Sequence, residues 1–312
     1  MNALEINKSA ANAPKKKKSS SDSIQAVAML APLLIGFVVF TYFPIIYILR
    51  FSVYNYNGYR AIFNGFANFE RLFSRDPQFW MSIVNTLILS AGKLLIEIPL
   101  ALLLAVLLNK ALKGTGFFRV TLFLPAIMST AIIGLIFSLM FAAYQGVINE
   151  ILMSIGIIRA PVNWFGNKWT SMSVLATASI WHFVGINMVF FLMALQSVPK
   201  DLYECADIDG ITPIRKFFSI TLPMIGPVFQ VVLLMAIVGS LKVSDLVLVT
   251  TNGQPGGSTE VVMTYVFKYF FGRDTRNTEV GYASAMSIIT AIILAAISYL
   301  YMRSTRKMNE SR

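Results

Sequence analysis

The sequence is short of the groups from which most active sites are built. It holds one cysteine, Cys205, and one histidine, His182. A single cysteine excludes an intrachain disulfide and leaves no thiol pair for redox chemistry. With one thiol and one imidazole, a zinc centre would have to be made mostly of carboxylates, so no metal site is expected. A Ser-His-Asp arrangement has only His182 to draw on. No G-x4-G-K-[ST] phosphate loop occurs, which excludes P-loop binding of ATP by this chain. Gly114-x-Gly116 is too short for a dinucleotide fingerprint. The chain is therefore expected not to be an enzyme and to bind no cofactor of its own. Charge is scarce too. Asp, Glu, Lys and Arg make up 13% of the residues, against about 25% in a soluble domain. Hydrophobic residues make up 56%, and the mean hydropathy is +0.67. Such a chain cannot cover a water-facing surface of its own size, so most of its exterior must face lipid.

A helix needs about 20 mostly apolar residues to cross a bilayer. Six segments qualify: 24–49, 80–109, 120–144, 171–197, 222–244 and 280–302. They are too long and too evenly apolar for barrel strands, and only helices or closed barrels satisfy their backbone in lipid. The expectation is an all-α polytopic membrane protein with six transmembrane helices. Residues 1–23 read as a disordered polar tail, 24–49 as a first helix, 80–302 as a five-helix core and 303–312 as a second tail. The first apolar run is too long for the h-region of a signal peptide.

The net charge of +11 suggests nucleic acid until its distribution is read. Six spans put both termini on one side. The tails and the two loops on that side hold fifteen Lys and Arg, among them Lys15–Lys18, Lys110, Arg119, Lys200, Arg215, Lys216 and Arg303. The opposite side holds nine, and Lys93 and Lys242 lie inside spans. By the positive-inside rule both termini are cytoplasmic, in a bacterial-type inner membrane, and no nucleic-acid partner is expected. The three external segments, about 51–79, 145–170 and 245–279, are rich in Asn, Gly and aromatics. Such residues suit either an interfacial aromatic belt or a sugar-like docking surface.

One internal loop, residues 198–221, stands apart. Pro199 stops the preceding helix. Asp201, Glu204 and Asp207 fall on one helical face. Gly210 breaks that helix, and Thr212-Pro213 reads as the N-cap and first residue of a second. Two short amphipathic helices joined at a glycine suit protein docking, since an acidic face is repelled by an anionic inner leaflet.

Glu204-Cys205-Ala206, three residues, Gly210, nine residues and Ile220-Thr221-Leu222-Pro223 resemble the E-A-A-x3-G-x9-I-x-L-P loop of ABC importer permeases. Cys205 stands where that family usually has Ala. Asn85-Thr86, Gly114-Thr115-Gly116-Phe117-Phe118-Arg119, Leu124-Pro125, Gly65-Phe66-x-Asn68-Phe69 and Gly281-Tyr282-Ala283-x-Ala285 are similar to the sugar-permease branch, the maltose and glycerol-phosphate type. So is Thr251-Asn252-Gly253-Gln254-Pro255, with Gln254 replacing a glycine. The resemblance covers about residues 30–302. It implies a type I ABC importer permease fold, with spans two to six as the transport core. It implies a coupling site at Glu204, Cys205, Ala206, Asp207 and Gly210, seated in a groove on a cytoplasmic ATPase. The implied partners are a second, homologous permease subunit, two ATPase subunits that use ATP and Mg, an extracytoplasmic solute-binding protein, and a sugar or oligosaccharide.

Within the spans, Lys93 and Glu97 sit at i, i+4. Each charge at the bilayer centre costs about 2.5–3.5 kcal/mol on insertion scales, so the two should face protein and each other. An ion-coupled secondary transporter is the alternative such a pair raises. Lys242 and Asp245 are expected as a solvated rim pair. A sugar path needs neutral hydrogen-bonding groups and aromatic faces, and Asn85, His182, Asn187 and Gln196 are the candidates.

Overall fold

The structure, a computed structural model, describes residues 20–110, 114–272 and 278–310. Most of the expected N-terminal tail, with Lys8 and Lys15–Lys18, lies outside them, as do Lys113, Arg273, Arg276 and Arg312. The chain divides into two compact units, one ending at Arg50 and one spanning Phe51–Arg312.

The first unit is helical from Ser20, inside the stretch expected as tail. Helix α1 (Ser20–Phe37) passes through a π-helical turn, Val38–Tyr42, into α2 (Phe43–Phe51). Pro44 has no N–H to continue the regular ladder, which accounts for the wide turn before it. The stretch Val27–Phe51 is long and apolar enough to cross a membrane.

The second unit opens with a feature absent from the all-helical expectation. Strands β1 (Tyr54–Tyr56) and β2 (Ala61–Phe63) pair antiparallel, Tyr54 opposite Phe63. Asn57 and Gly58 turn the chain. The Asn57 side chain accepts the Tyr59 and Arg60 amides, and Gly58 takes φ +98°. Helix α3 (Ala67–Ser74) follows. Asp76 then caps α4 (Pro77–Leu108), accepting from the Phe79 amide, with Pro77 at the first position where its missing N–H costs nothing.

The third expected span is not one straight helix. It is α5 (Thr115–Ile127) and α6 (Thr130–Met140), bent by 98° at extended Met128 and Ser129. After α7 (Val147–Ser154) comes α8 (Lys168–Gln196), begun by the Asn167 side chain accepting from Trp169 N. The loop helices are α9 (Lys200–Ile208) and α10 (Pro213–Lys216). A second π-helical turn, Phe217–Thr221, joins α10 to α11 (Leu222–Met224), and the whole stretch Pro213–Met224 is bent by 73° against α12 (Gly226–Leu241) where Pro227 enters. The chain closes through α13 (Asp245–Thr250), α14 (Val262–Phe271) and α15 (Val280–Glu310), the last running through most of the expected second tail. Four helices among the described residues can cross a membrane as they stand, and six spans result if each bent pair counts as one.

α4 and α8 form the spine. Their core joins Ile98, Ala101 and Ala105 to Val184, Met188 and Phe191, with Val232 from α12. Close approach needs small residues: a Cβ on Gly185 would collide with the Leu122 carbonyl, so this glycine lets α5 lie directly on α8.

Candidate functional site

The polar groups on the spine meet as the insertion cost requires. Lys93 Nζ lies 3.4 Å from Glu97 Oε2, and both side chains are buried. Asn187 on α8 donates to Glu97 Oε1 at 2.6 Å. The ammonium also lies 4.4 Å from the centre of the Phe183 ring, an electrostatic attraction that strengthens where water is excluded. The His182 ring lies tilted against Phe183 with centres 4.4 Å apart, meets the Met128 backbone at the break between α5 and α6, and has Nδ1 without a hydrogen-bond partner among the described residues. The bend in the third span thus arrives at the imidazole, which the sequence could not reveal.

The four path candidates do not form one cluster. His182 and Asn187 share the α4–α8 seam. Asn85 is wholly buried and its amide is committed, donating to the carbonyls of Ser258 and Glu260 at 2.9 Å each. It holds a loop in place. Gln196 is exposed at the far end of α8.

The loop that Asn85 holds was missed at the level of side chains. Residues 251–260 fold inward: Thr259 and Glu260 are buried, and Glu260 Oε2 meets Lys268 Nζ at 2.8 Å. Lys268 also donates to the Asn252 carbonyl, and Thr86 Oγ1 accepts the Val262 amide. Gly253 sits so close to Glu260 that a Cβ would collide with its carboxylate. Beside it, Asp76 accepts the phenols of Tyr265 at 2.9 Å and Tyr282 at 2.5 Å, joining α4, α14 and α15. Burial pushes the Tyr265 phenol far up, with Tyr269 and Asp76 adding to the shift. Arg71 pairs with Glu279 and covers the Tyr282 ring at 4.0 Å. These acids and bases lie up to 208 positions apart in sequence, beyond any spacing rule.

Lys242 and Asp245 do not form the expected rim pair. Lys242 ends α12 as its exposed C-cap, and Asp245 opens α13, accepting from Ser244 Oγ.

The internal loop has the expected form. Gly210 takes φ +68°, the Ile211 amide reaches the Ala206 carbonyl at 3.0 Å, and the Gly210 amide reaches Asp207 at 3.1 Å. That is a Schellman ending, which places the glycine in the left-handed region. Ala206 is buried, and Tyr203 bonds Thr221 at 2.9 Å, fixing α9 to the turn after α10. Asp207 is engaged by Lys216. Glu204 and Cys205 point outward with no side-chain partner among the described residues, flanked by exposed Leu202, Ile208, Ile214 and Phe218. The surface offered combines these apolar side chains with the exposed carboxylates of Asp201, Glu204 and Asp209 and the exposed cations Lys200 and Arg215.

Residues 97–310 match the family described as binding-protein-dependent transport system inner membrane component. The chain is similar to the arabinooligosaccharides transport system permease protein AraP of Bacillus subtilis, 34% identical over 88% of this chain and 86% of that one. It is also similar to the lactose transport system permease protein LacF of Rhizobium radiobacter, 32% identical over 89% and 93%. Among solved structures it superposes on a chain of a bacterial alginate ABC transporter in complex with an alginate pentasaccharide-bound periplasmic protein. That match has TM-score 0.81 and 26% identity, covering 93% of this chain and 97% of the other.

Proposed function

The chain belongs to the family of binding-protein-dependent transport system inner membrane components, and from that premise we propose that it is one permease subunit of an ATP-driven importer for a sugar or oligosaccharide. It is a multi-pass membrane protein of the transport-permease class. The observation that carries the proposal is the loop around Gly210. Its two helices are held rigidly by their own contacts, yet they leave the Glu204 carboxylate and four large apolar side chains exposed. A surface of that size and chemistry on a loop asks for a protein partner.

In this reading a cytoplasmic ATPase dimer receives α9 and α10, uses ATP and Mg, and moves the rigid loop. The loop's second helix begins the bent stretch Pro213–Met224 that leads into α12, and Tyr203 ties α9 to that stretch at Thr221, so displacement of the loop reaches the bundle. A second, homologous permease supplies the other half of the path. An extracytoplasmic binding protein delivers the sugar, and both termini face the cytoplasm. Sugars of the kinds named for the two relatives fit a path that combines His182, Asn187 and the aromatic residues beside them, with Gln196 nearer one end; Asn85, whose amide holds the 251–260 loop, stays outside it. The pairing of Lys93 with Glu97, and of Glu97 with Asn187, supports a structural use of those charges over ion coupling.

The test is reconstitution. The purified chain alone neither hydrolyses ATP nor moves sugar, whereas the complete complex shows ATPase activity stimulated by loaded binding protein. Robust uptake by the chain alone, driven by an ion gradient, would replace this reading with a secondary transporter.

A further inference from the structure

At the N-terminal end of α4 a groove of about 560 Å3 opens between Phe73, Trp80, Met81 and Val84, with Pro77 and Asp76 at its base. Its apolar walls are exposed: Phe73 59%, Met81 46% and Val84 47%. The strip continues down α4 through exposed Leu87, within the stretch long and apolar enough to cross a membrane. The upper end is different. Lys168 lies across the wall, with Nζ 3.9 Å from Met81 Sδ and 5.6 Å from the Trp169 ring centre, and it has no carboxylate partner among the described residues. Arg75, next to Asp76 in sequence, pairs with Glu70 in a surface contact open to solvent at both ends. Asp76 does not oppose them as a free anion, because two phenols and the Phe79 amide already occupy its carboxylate. Trp80 lines the groove, the Trp169 ring centre lies 5.6 Å from Lys168 Nζ, and indoles are favoured at a membrane interface.

We propose that this groove is a phospholipid site: an acyl chain lies along Met81, Val84 and Leu87, and the headgroup phosphate of an anionic phospholipid is held by Lys168. Apolar below and cationic above, within a few residues of a span's start, is the division of chemistry that a phospholipid presents. A second protein chain packed here would bury Lys168 with no carboxylate from this chain to balance it.

The test is native mass spectrometry of the full-length chain released from nanodiscs containing both phosphatidylglycerol and phosphatidylcholine. Wild type retains phosphatidylglycerol in preference. Lys168→Gln lowers that retention about fivefold, the effect of one cation near an anionic headgroup. Met81→Trp, which fills the groove, lowers retention of both lipids. Equal phosphatidylglycerol retention by wild type and Lys168→Gln overturns the proposal. So does a disulfide between Met81→Cys and a cysteine on a co-expressed permease, which would show the groove to be a subunit interface. Neither result bears on whether the assembled complex imports sugar.

Discussion

Asn187 on α8 donates to Glu97 on α4 at 2.6 Å, inside the bundle and ninety positions away in sequence. The same carboxylate faces Lys93 through its other oxygen, one turn back on its own helix. The bond therefore ties a charge pair to the neighbouring helix and does more than neutralise it. Removing one member of a buried pair costs about 3–5 kcal/mol, because the other charge is stranded. Lys93→Met or Glu97→Leu alone should lower the unfolding midpoint in detergent sharply, and the double variant should recover much of the loss. A double variant worse than either single would refute the pairing.

The loop over α4 makes a separate demand. Gly253→Ala places a methyl group against the Glu260 carboxylate, and its φ of +84° is already unfavourable to alanine. Asn85→Leu removes the two donors that hold the loop's carbonyls, at about 1–3 kcal/mol for each buried acceptor left alone. Both variants should insert normally and show faster proteolysis at residues 251–260. Wild-type cleavage rates in both would mean that the loop is held by something else.

The coupling surface yields the sharpest functional expectation. Glu204→Ala and Gly210→Val should each reduce uptake and co-purification of the ATPase at matched expression. They act differently: Glu204 is exposed and removes only a partner's contact, whereas Gly210 at φ +68° loses the turn itself. Asp201→Asn should be milder. Normal uptake and co-purification in both principal variants would show that this loop does not couple.

Topology can be checked with single cysteines in a Cys205→Ser background. Position 167, at the start of α8, should be labelled from outside, and position 204 from inside. Labelling of position 167 only from the cytoplasmic side would invert the arrangement.

Alkaline pH should act through Tyr265. Its phenol is held neutral in the folded chain by burial and by the neighbouring Tyr269 and Asp76, while in the unfolded chain it ionises near about pH 10. A raised folded value means that its stabilisation is complete below that pH and declines above it, as the unfolded state is favoured by ionising. Tyr265→Phe should flatten the loss of stability above about pH 10, measured by unfolding midpoints against pH. An unchanged slope would remove Tyr265 from the account.

The sequence by itself determined the lipid-facing character, the six apolar segments and the two-helix form of the loop around Gly210. Composition decides the first, segment length the second, and the third is local: Pro199, Gly210 and Thr212-Pro213 act within a few residues of themselves. Lys93 and Glu97 were legible for the same reason, being one turn apart on one helix. What only the tertiary structure decided depends on distant chain. The third and fifth apolar segments read as continuous, since hydropathy carries no information about the 98° and 73° bends. Asn85 looked like a path residue by its place in a span, but its neighbours 173 and 175 positions on take its amide. Asp76 and Tyr265 gave no signal, and Tyr282 gave one only as part of a motif, because an acid and two phenols become a unit only when three helices bring both phenols within about 3 Å of the acid.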